Sequence, residues 1–192
     1  MTQRSEHACS AAERPEYAPF QPSGGGEQCA QVRIAPLAAS DVTDCAALAA
    51  ERERGSLDEW LAAFGRRAEQ SPVTTFVAHH GARLAGYGAL GRLEVSCPAA
   101  ALDGSAVWCF TGVVVAPTYR RRGVALALTR HRLDWLRGRA TSVYSFANAA
   151  NLASIALHER AGFREVSREF TVPGVSFAGG VGVLFRAEIQ TA

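Results

Sequence analysis

Three arginines and a glycine stand in a row in VVVAPTYRRRGVALALTRHRL, Val113 to Leu133. Pro117 separates Val113, Val114 and Val115 from Arg120, Arg121, Arg122 and Gly123, and a helix-type run begins at Val124 and Ala125. The first-turn N–H groups of a helix have no partner inside it. The helix dipole adds roughly half a positive charge at that end, and such an end binds phosphate. Gly123 lets backbone approach a phosphate closely, and Ala125 keeps the next position small. The guanidinium groups add charge-assisted contacts, bidentate in the best geometry. Three like charges beside a helix N-terminus repel one another unless an anion is bound. The stretch therefore predicts a polyphosphate site; a solvated basic cluster is the other reading of the arginines taken alone.

A second stretch, NLASIALHERAGF, places Asn151 at the start of a helix and His158 seven residues on. Seven residues are about two turns, so the two share a face. Asn151 can serve as an N-cap or contact a ligand. An unperturbed histidine, with a pKa of about 6.5, suits proton transfer near neutrality. Glu94 and Tyr144 are further titratable groups on strand-like runs. His79 and His80 fall at a hairpin turn and are expected to face solvent. Trp60, Trp108 and Tyr87 either pack in the core or line a pocket.

The elements that carry these residues are legible. A short strand QVRIAPL opens the domain. A helix follows in ASDVTDCAALAAERER with Ser40 or Asp41 as its cap, and another in SLDEWLAAFGRRAEQ, where Ser56 and Glu59 form a capping box. VTTFVAHH and RLAGYGALGRLEV flank a glycine turn as a hairpin, and CPAAALDGS reads as a loop. AVWCFTGVVV is apolar and β-branched, as a central strand is. A helix over 123–138, a strand TSVYSFAN, a helix ending at Gly162 and two final strands, REVSREFTV and GVGVLFRAEI, complete the chain. The order β-α-α-β-β-β-α-β-α-β-β predicts a mixed-sheet α/β (α+β) domain over 31–189. Residues 1–30, with PEYAPFQPSGGGEQ, lack an apolar period and are expected to be a disordered tail.

Composition removes several function classes. All 20 basic residues are arginine, which rules out a lysine Schiff base or a Walker A lysine. The five cysteines include no C-x-x-C pair, so neither a zinc site nor a disulfide framework is expected, and no metal. A net charge of +2 does not argue for nucleic acid or membrane. No apolar run approaches the roughly 20 residues that span a bilayer, and MTQRSEHACSAAERPEY has no apolar leader segment. A cytoplasmic location is expected.

Arg120-x-x-Gly123-x-Ala125, after a valine-rich strand, resembles the pyrophosphate loop of the GNAT N-acetyltransferase superfamily, R/Q-x-x-G-x-G/A. NAANLASIALHERAGFREV, Asn148 to Val166, resembles the fourth motif of the same family, with Asn151 and the Gly162-Phe163 pair in the matching places. The resemblance covers about residues 31–189. It implies a GNAT-like acyltransferase fold and acetyl-CoA as co-substrate. It also implies a bulged strand splayed from its neighbour, so that backbone of Val113 and Val115 pairs with the pantetheine arm. The pyrophosphate would sit at Arg120 to Ala125, and Asn151 would contact the cofactor through its amide.

Acetyl transfer to an amine needs a base for the amine, a donor for the oxyanion and a proton for the thiolate. The family's tyrosine, four residues before the Gly-Phe glycine, is replaced here by His158, which becomes the candidate acid, with Tyr144 as a backup and water as the remaining donor. Glu94 is the candidate base, with backbone carbonyls and a water chain as the alternative, because AVWCFTGV carries no carboxylate. A backbone N–H of Val113 or Val115 would serve the oxyanion. The function implied is direct transfer of acetyl to an amine. The sequence favours a small-molecule acceptor with apolar bulk, since LDEWLAAFGRRAE and PGVSFAGGVG form no acidic pocket. The alternative is a non-catalytic acetyl-CoA-binding sensor or interaction module. Edge strands of this fold mediate dimers in relatives, so a homodimer is open.

Overall fold

The computed structural model describes residues 16–17, 31–53, 55–69 and 72–190. Among the described residues nine strands and four helices are formed: β1 (Glu16–Tyr17), β2 (Arg33–Pro36), α1 (Val42–Arg52), α2 (Leu57–Glu69), β3 (Thr74–His80), β4 (Arg83–Cys97), β5 (Leu102–Val115), α3 (Val124–Trp135), β6 (Ser142–Asn148), α4 (Leu152–Arg160), β7 (Arg164–Ser167), β8 (Ser176–Phe177) and β9 (Gly182–Glu188). Seven strands make one sheet in the order β2-β3-β4-β5-β6-β9-β7. Every neighbouring pair is antiparallel except β5 and β6. The mixed α/β class and the expected element order are present.

The differences are local. The expected loop after Cys97 is short, a 3-10 turn at Pro98–Ala100, because β4 and β5 continue as a long hairpin. The stretch PGVSFAGG contains β8, which pairs in parallel with β1. The expected disordered tail otherwise lies outside the described residues. The Ser56–Glu59 capping box forms, with the Ser56 N–H donating to Glu59 Oε2 at 2.7 Å and the Glu59 N–H donating to Ser56 Oγ at 3.3 Å. Asp41 occupies the N-cap of α1 but does not cap it with its side chain. Its carboxylate accepts the Ala38 N–H at 2.9 Å and pairs with His79 Nε2 at 3.1 Å. His79 is thus mostly covered rather than solvent-facing, whereas His80 is exposed.

The sheet has helices on both faces. On one face α3 and α4 cover Phe76, Leu90, Phe110, Val143, Ala147 and Phe185. Phe76, Phe110 and Phe185 are each 2% exposed or less, and burying each contributes about 2 kcal/mol. On the other face α1 and α2 cover Val77, Tyr87 and Val114. A further cluster on that face joins Val95, Cys109, Tyr144 and Leu184 with Val172. Trp60 packs at 6.1 Å on Phe64, Tyr87 packs edge-on at 5.0 Å on Phe64, and Trp108 packs at 5.8 Å on Trp135. These aromatics serve packing. No helix among the described residues is long and apolar enough to cross a membrane.

Candidate active site

The site begins with a fault in the sheet. Gly88 of β4 faces Val113 of β5, and Leu90 faces Phe110. One residue of β4, Ala89, therefore opposes two of β5, and the surplus is a bulge at Thr111–Gly112. Gly112 holds φ +126°, where L side chains are strained. On its other side β5 pairs with β6 only at Cys109–Tyr144 and Phe110–Ser145. Beyond that apex both strands continue, to Val115 and to Asn148, without pairing with each other. The two parallel strands splay into an open V.

Backbone polarity inside the V follows from the register. The Ala116 N–H donates to the Ala85 carbonyl at 3.0 Å. Antiparallel pairs alternate between exchanging and not exchanging bonds. Val114 opposite Tyr87 therefore bonds to β4, and the N–H and C=O of Val113 and Val115 face the opening. The Val115 carbonyl receives Arg120 Nε at 3.3 Å, which agrees with that direction. The Val114 side chain, 3% exposed, anchors the strand in the opposite core.

The arginine loop closes the wide end of the V. Pro117–Tyr119 make a 3-10 turn, and then Arg121 adopts φ +62° and Gly123 φ +83°. A left-handed arginine is uncommon and strained. Gly123 is the N-cap of α3 and no side chain caps that end. A methyl group at Gly123 would meet nothing within 4 Å, so its need is conformational. Arg122 is half-buried, and its Nε has no hydrogen-bond partner among the described residues. Val124 is buried, whereas Arg121 and Gly123 are exposed. An uncapped helix end, an orphaned guanidinium nitrogen and backbone groups facing an open V fit a pyrophosphate followed by an amide-bearing arm.

Across the V, Asn151 caps α4, its Oδ1 accepting the Ser154 N–H at 3.0 Å. Two turns on, His158 is 6% exposed and stacked at 4.8 Å on Phe185. Its Nδ1 lies 2.6 Å from the Ser154 carbonyl, and its Nε2 lies 2.7 Å from Ser145 Oγ. A carbonyl only accepts, so Nδ1 carries the proton and Nε2 accepts from the Ser145 hydroxyl. Burial, with the Arg132 charge as a lesser cause, pushes the His158 pKa down to about 4. The ring is neutral at neutral pH.

Two expected residues are not brought to the apex. Glu94 is exposed and pairs with Ala106 in the outer part of the hairpin. It lies six residues along β4 from Gly88, about 20 Å at the rise of a strand. Tyr144 is buried one residue before Ser145 and so faces the opposite side of the sheet from His158, beneath Arg186. On that opposite side, burial raises the Glu53 carboxyl pKa, and the Glu53 charge adds to burial in raising that of the Tyr87 phenol. The Cys45 and Cys109 thiols are buried and pushed up to about 12, which leaves them inert at neutral pH. Among the described residues no cluster could hold a metal.

Two residues at the apex were not singled out from the sequence. Ser145 sits in the Val143–Ser145–Ala147 alternation of an inward strand face. Arg132 continues the Val124–Leu128 stripe of α3 and is 2% exposed. A polar or charged residue on an apolar stripe was the available signal for each.

Residues 40–163 match the acetyltransferase (GNAT) family. The chain is 32% identical over 136 residues to the N-alpha-acetyltransferase RimI of Mycobacterium tuberculosis, covering 70% of this chain and 80% of that protein. Its fold is similar to that of the ribosomal-protein-S18-alanine N-acetyltransferase of Escherichia coli, with a TM-score of 0.61 and 18% identity over 84% of this chain and 96% of that one. It is similar also to Arabidopsis thaliana NAA60 bound to a bisubstrate analogue, with a TM-score of 0.64 and 19% identity over 84% of this chain and 100% of that one. The splayed strands, the arginine loop and the family match converge: the chain belongs to the GNAT family, and it is an N-acetyltransferase that uses acetyl-CoA as its co-substrate.

Proposed function

We propose that the acceptor is the α-amino group at the N-terminus of a polypeptide and that the acetyl group passes to it directly. The observation that carries direct transfer from acetyl-CoA is the open V, with the Val113 and Val115 backbone turned into it. The 32% identity to an N-alpha-acetyltransferase supports the acceptor class. A small-molecule amine with apolar bulk is the second reading. It is favoured by the acid-poor segment around Val175 and Phe177 beside the third core cluster.

In this reading the α3 N-terminus and Arg120 to Ala125 hold the pyrophosphate. The Val113 and Val115 backbone aligns the pantetheine arm, and the Asn151 amide adds a contact. The Val113 N–H donates to the acetyl carbonyl oxygen as negative charge develops there. The amine approaches from the α1–α2 side, where Glu53, its pKa raised by burial, takes the proton. Glu94 is too distant for that part. His158 is neutral, its one ring proton is committed through Nδ1 to the Ser154 carbonyl and its Nε2 accepts from Ser145, so it shapes the floor of the V while the departing sulfur takes a proton from water. The Tyr144 phenol, buried in the third cluster beneath Arg186, has no part.

The test is a product-mass screen of the protein with acetyl-CoA against hexapeptides that differ in their first residue, beside a panel of small amines. Acetylated peptide termini support the proposed acceptor. Turnover confined to small amines moves the acceptor to the second reading.

A further inference from the structure

We propose that Arg132 is a positioning residue for acyl transfer: its guanidinium, bonded to the Gly112 carbonyl, polarises the Gly112–Val113 peptide and strengthens the Val113 N–H as the donor to the acetyl oxygen. The inference rests on the reading of Val113 as that donor.

Arg132 reaches from α3 into the bulge. Its Nη1 donates to the Ala89 carbonyl at 2.8 Å and to the Gly112 carbonyl at 3.0 Å. Its Nε donates to the Leu128 carbonyl and its Nη2 to Thr129 Oγ1, both at 3.3 Å. The guanidinium carbon lies 4.1 Å from the centre of the Phe110 ring. Room for it is made by Gly88, where a methyl group would stand 3.0 Å from the guanidinium carbon. Gly112, at φ +126°, turns its carbonyl toward the arginine.

No carboxylate among the described residues pairs with this charge, and burial alone accounts for its pKa falling to about 9. It remains a cation at neutral pH. An unpaired buried charge is unfavourable, and an apolar side chain would continue the Val124–Leu128 stripe. Packing therefore does not explain an arginine here.

The chemistry of the neighbouring peptide does. The Gly112 carbonyl and the Val113 N–H belong to one peptide unit. A cation on the carbonyl draws electron density from the nitrogen, and hydrogen bonds in series strengthen one another, most of all in a dry site. The V side of the unit then presents a more acidic N–H where negative charge grows. The cation behind it is fixed by four acceptors and a ring face, so it need not reorganise as the charge appears.

The test compares wild type, Arg132→Gln, Arg132→Lys and Arg132→Met with acetyl-CoA labelled with carbon-13 at the carbonyl. Difference infrared spectroscopy reads the bound carbonyl band, calorimetry reads acetyl-CoA affinity, and turnover is followed with a free amine that the screen identifies as an acceptor. Glutamine keeps N–H donors without charge; lysine keeps the charge. We expect the band in the glutamine variant to move to higher wavenumber and its kcat to fall roughly 10–100-fold, with affinity within about two-fold. Lysine should keep the band near wild type, and methionine should repeat the glutamine result should the latter fail to fold. A band unmoved in a folded, acetyl-CoA-bound neutral variant overturns the proposal. So does a loss of affinity with band and kcat unchanged, which a merely structural arginine would give. A wild-type band identical to that of free acetyl-CoA would instead sink the Val113 donor itself.

Discussion

His158 accepts the Ser145 hydroxyl on Nε2 at 2.7 Å because its Nδ1 proton is committed to the Ser154 carbonyl. The pair has the composition of a nucleophile and its base, but the ring is shielded and lies within the field of Arg132, so it resists protonation. Linkage makes this measurable. The unfolded histidine titrates near 6.5 and the native one near 4. Between those values the unfolded chain binds more protons, so stability is full above pH 6.5 and falls as pH drops toward 4. The whole window is worth about 3 kcal/mol, of which about 2 kcal/mol lies between pH 7 and pH 5. Urea unfolding at those two pH values should show that loss in wild type and much less of it in His158→Gln. Equal losses in both would show that the ring does not carry the effect.

The arginine loop separates backbone strain from charge. Gly123 needs its left-handed conformation and not its small size, since nothing stands where a methyl would go. Gly123→Ala should cost about 1 kcal/mol of stability and leave acetyl-CoA affinity nearly intact. Gly123→Glu carries the same backbone cost but sets a carboxylate at the uncapped end of α3, facing phosphates. Its affinity should fall by at least about 30-fold, roughly 2 kcal/mol. Calorimetry and thermal melts on both variants check this. Equal affinities would mean that the phosphates lie elsewhere.

The arginine loop and the α4 motif were legible because both depend on residue types at fixed local spacing. The splay was legible only through family resemblance, since Val113 to Val115 would read the same in any buried strand. What local pattern missed lies in register. Glu94 looked close to the central strand because it is on the paired one, but the long β4–β5 hairpin carries it outward to Ala106. Tyr144 and Ser145 are adjacent in sequence, yet the pleat sends them to opposite faces. Arg132 looked like one more basic residue of an arginine-rich helix. Only the buried stripe, Val124–Leu128–Arg132, shows that it points inward.

Register also makes a prediction of silence. Glu94→Gln and Tyr144→Phe should each leave kcat/KM within about two-fold of wild type, as substitutions without contact to the reacting atoms do. Glu94 is exposed on the outer hairpin, and the Tyr144 ring, which the phenylalanine keeps, packs against Cys109 and Leu184 in the third cluster. A drop of 100-fold for Glu94→Gln, measured with saturating acetyl-CoA, would return that carboxylate to the site.

The acceptor side carries the remaining test. Glu53 ends α1 with its N–H on the Ala49 carbonyl at 2.8 Å, and it lies close enough to Tyr87 to help raise the phenol's pKa. Tyr87 is paired with Val114, next to the proposed oxyanion donor. Burial raises the Glu53 pKa above the ordinary carboxylate value. A base works in its ionised form, so kcat/KM should climb with pH through that raised value and level off above it. Glu53→Gln should remove this limb and lower kcat/KM on the plateau by about 100-fold, while acetyl-CoA affinity stays the same, because the carboxylate lies on the face opposite α3. A variant with an unchanged profile would leave the amine to lose its proton to water alone.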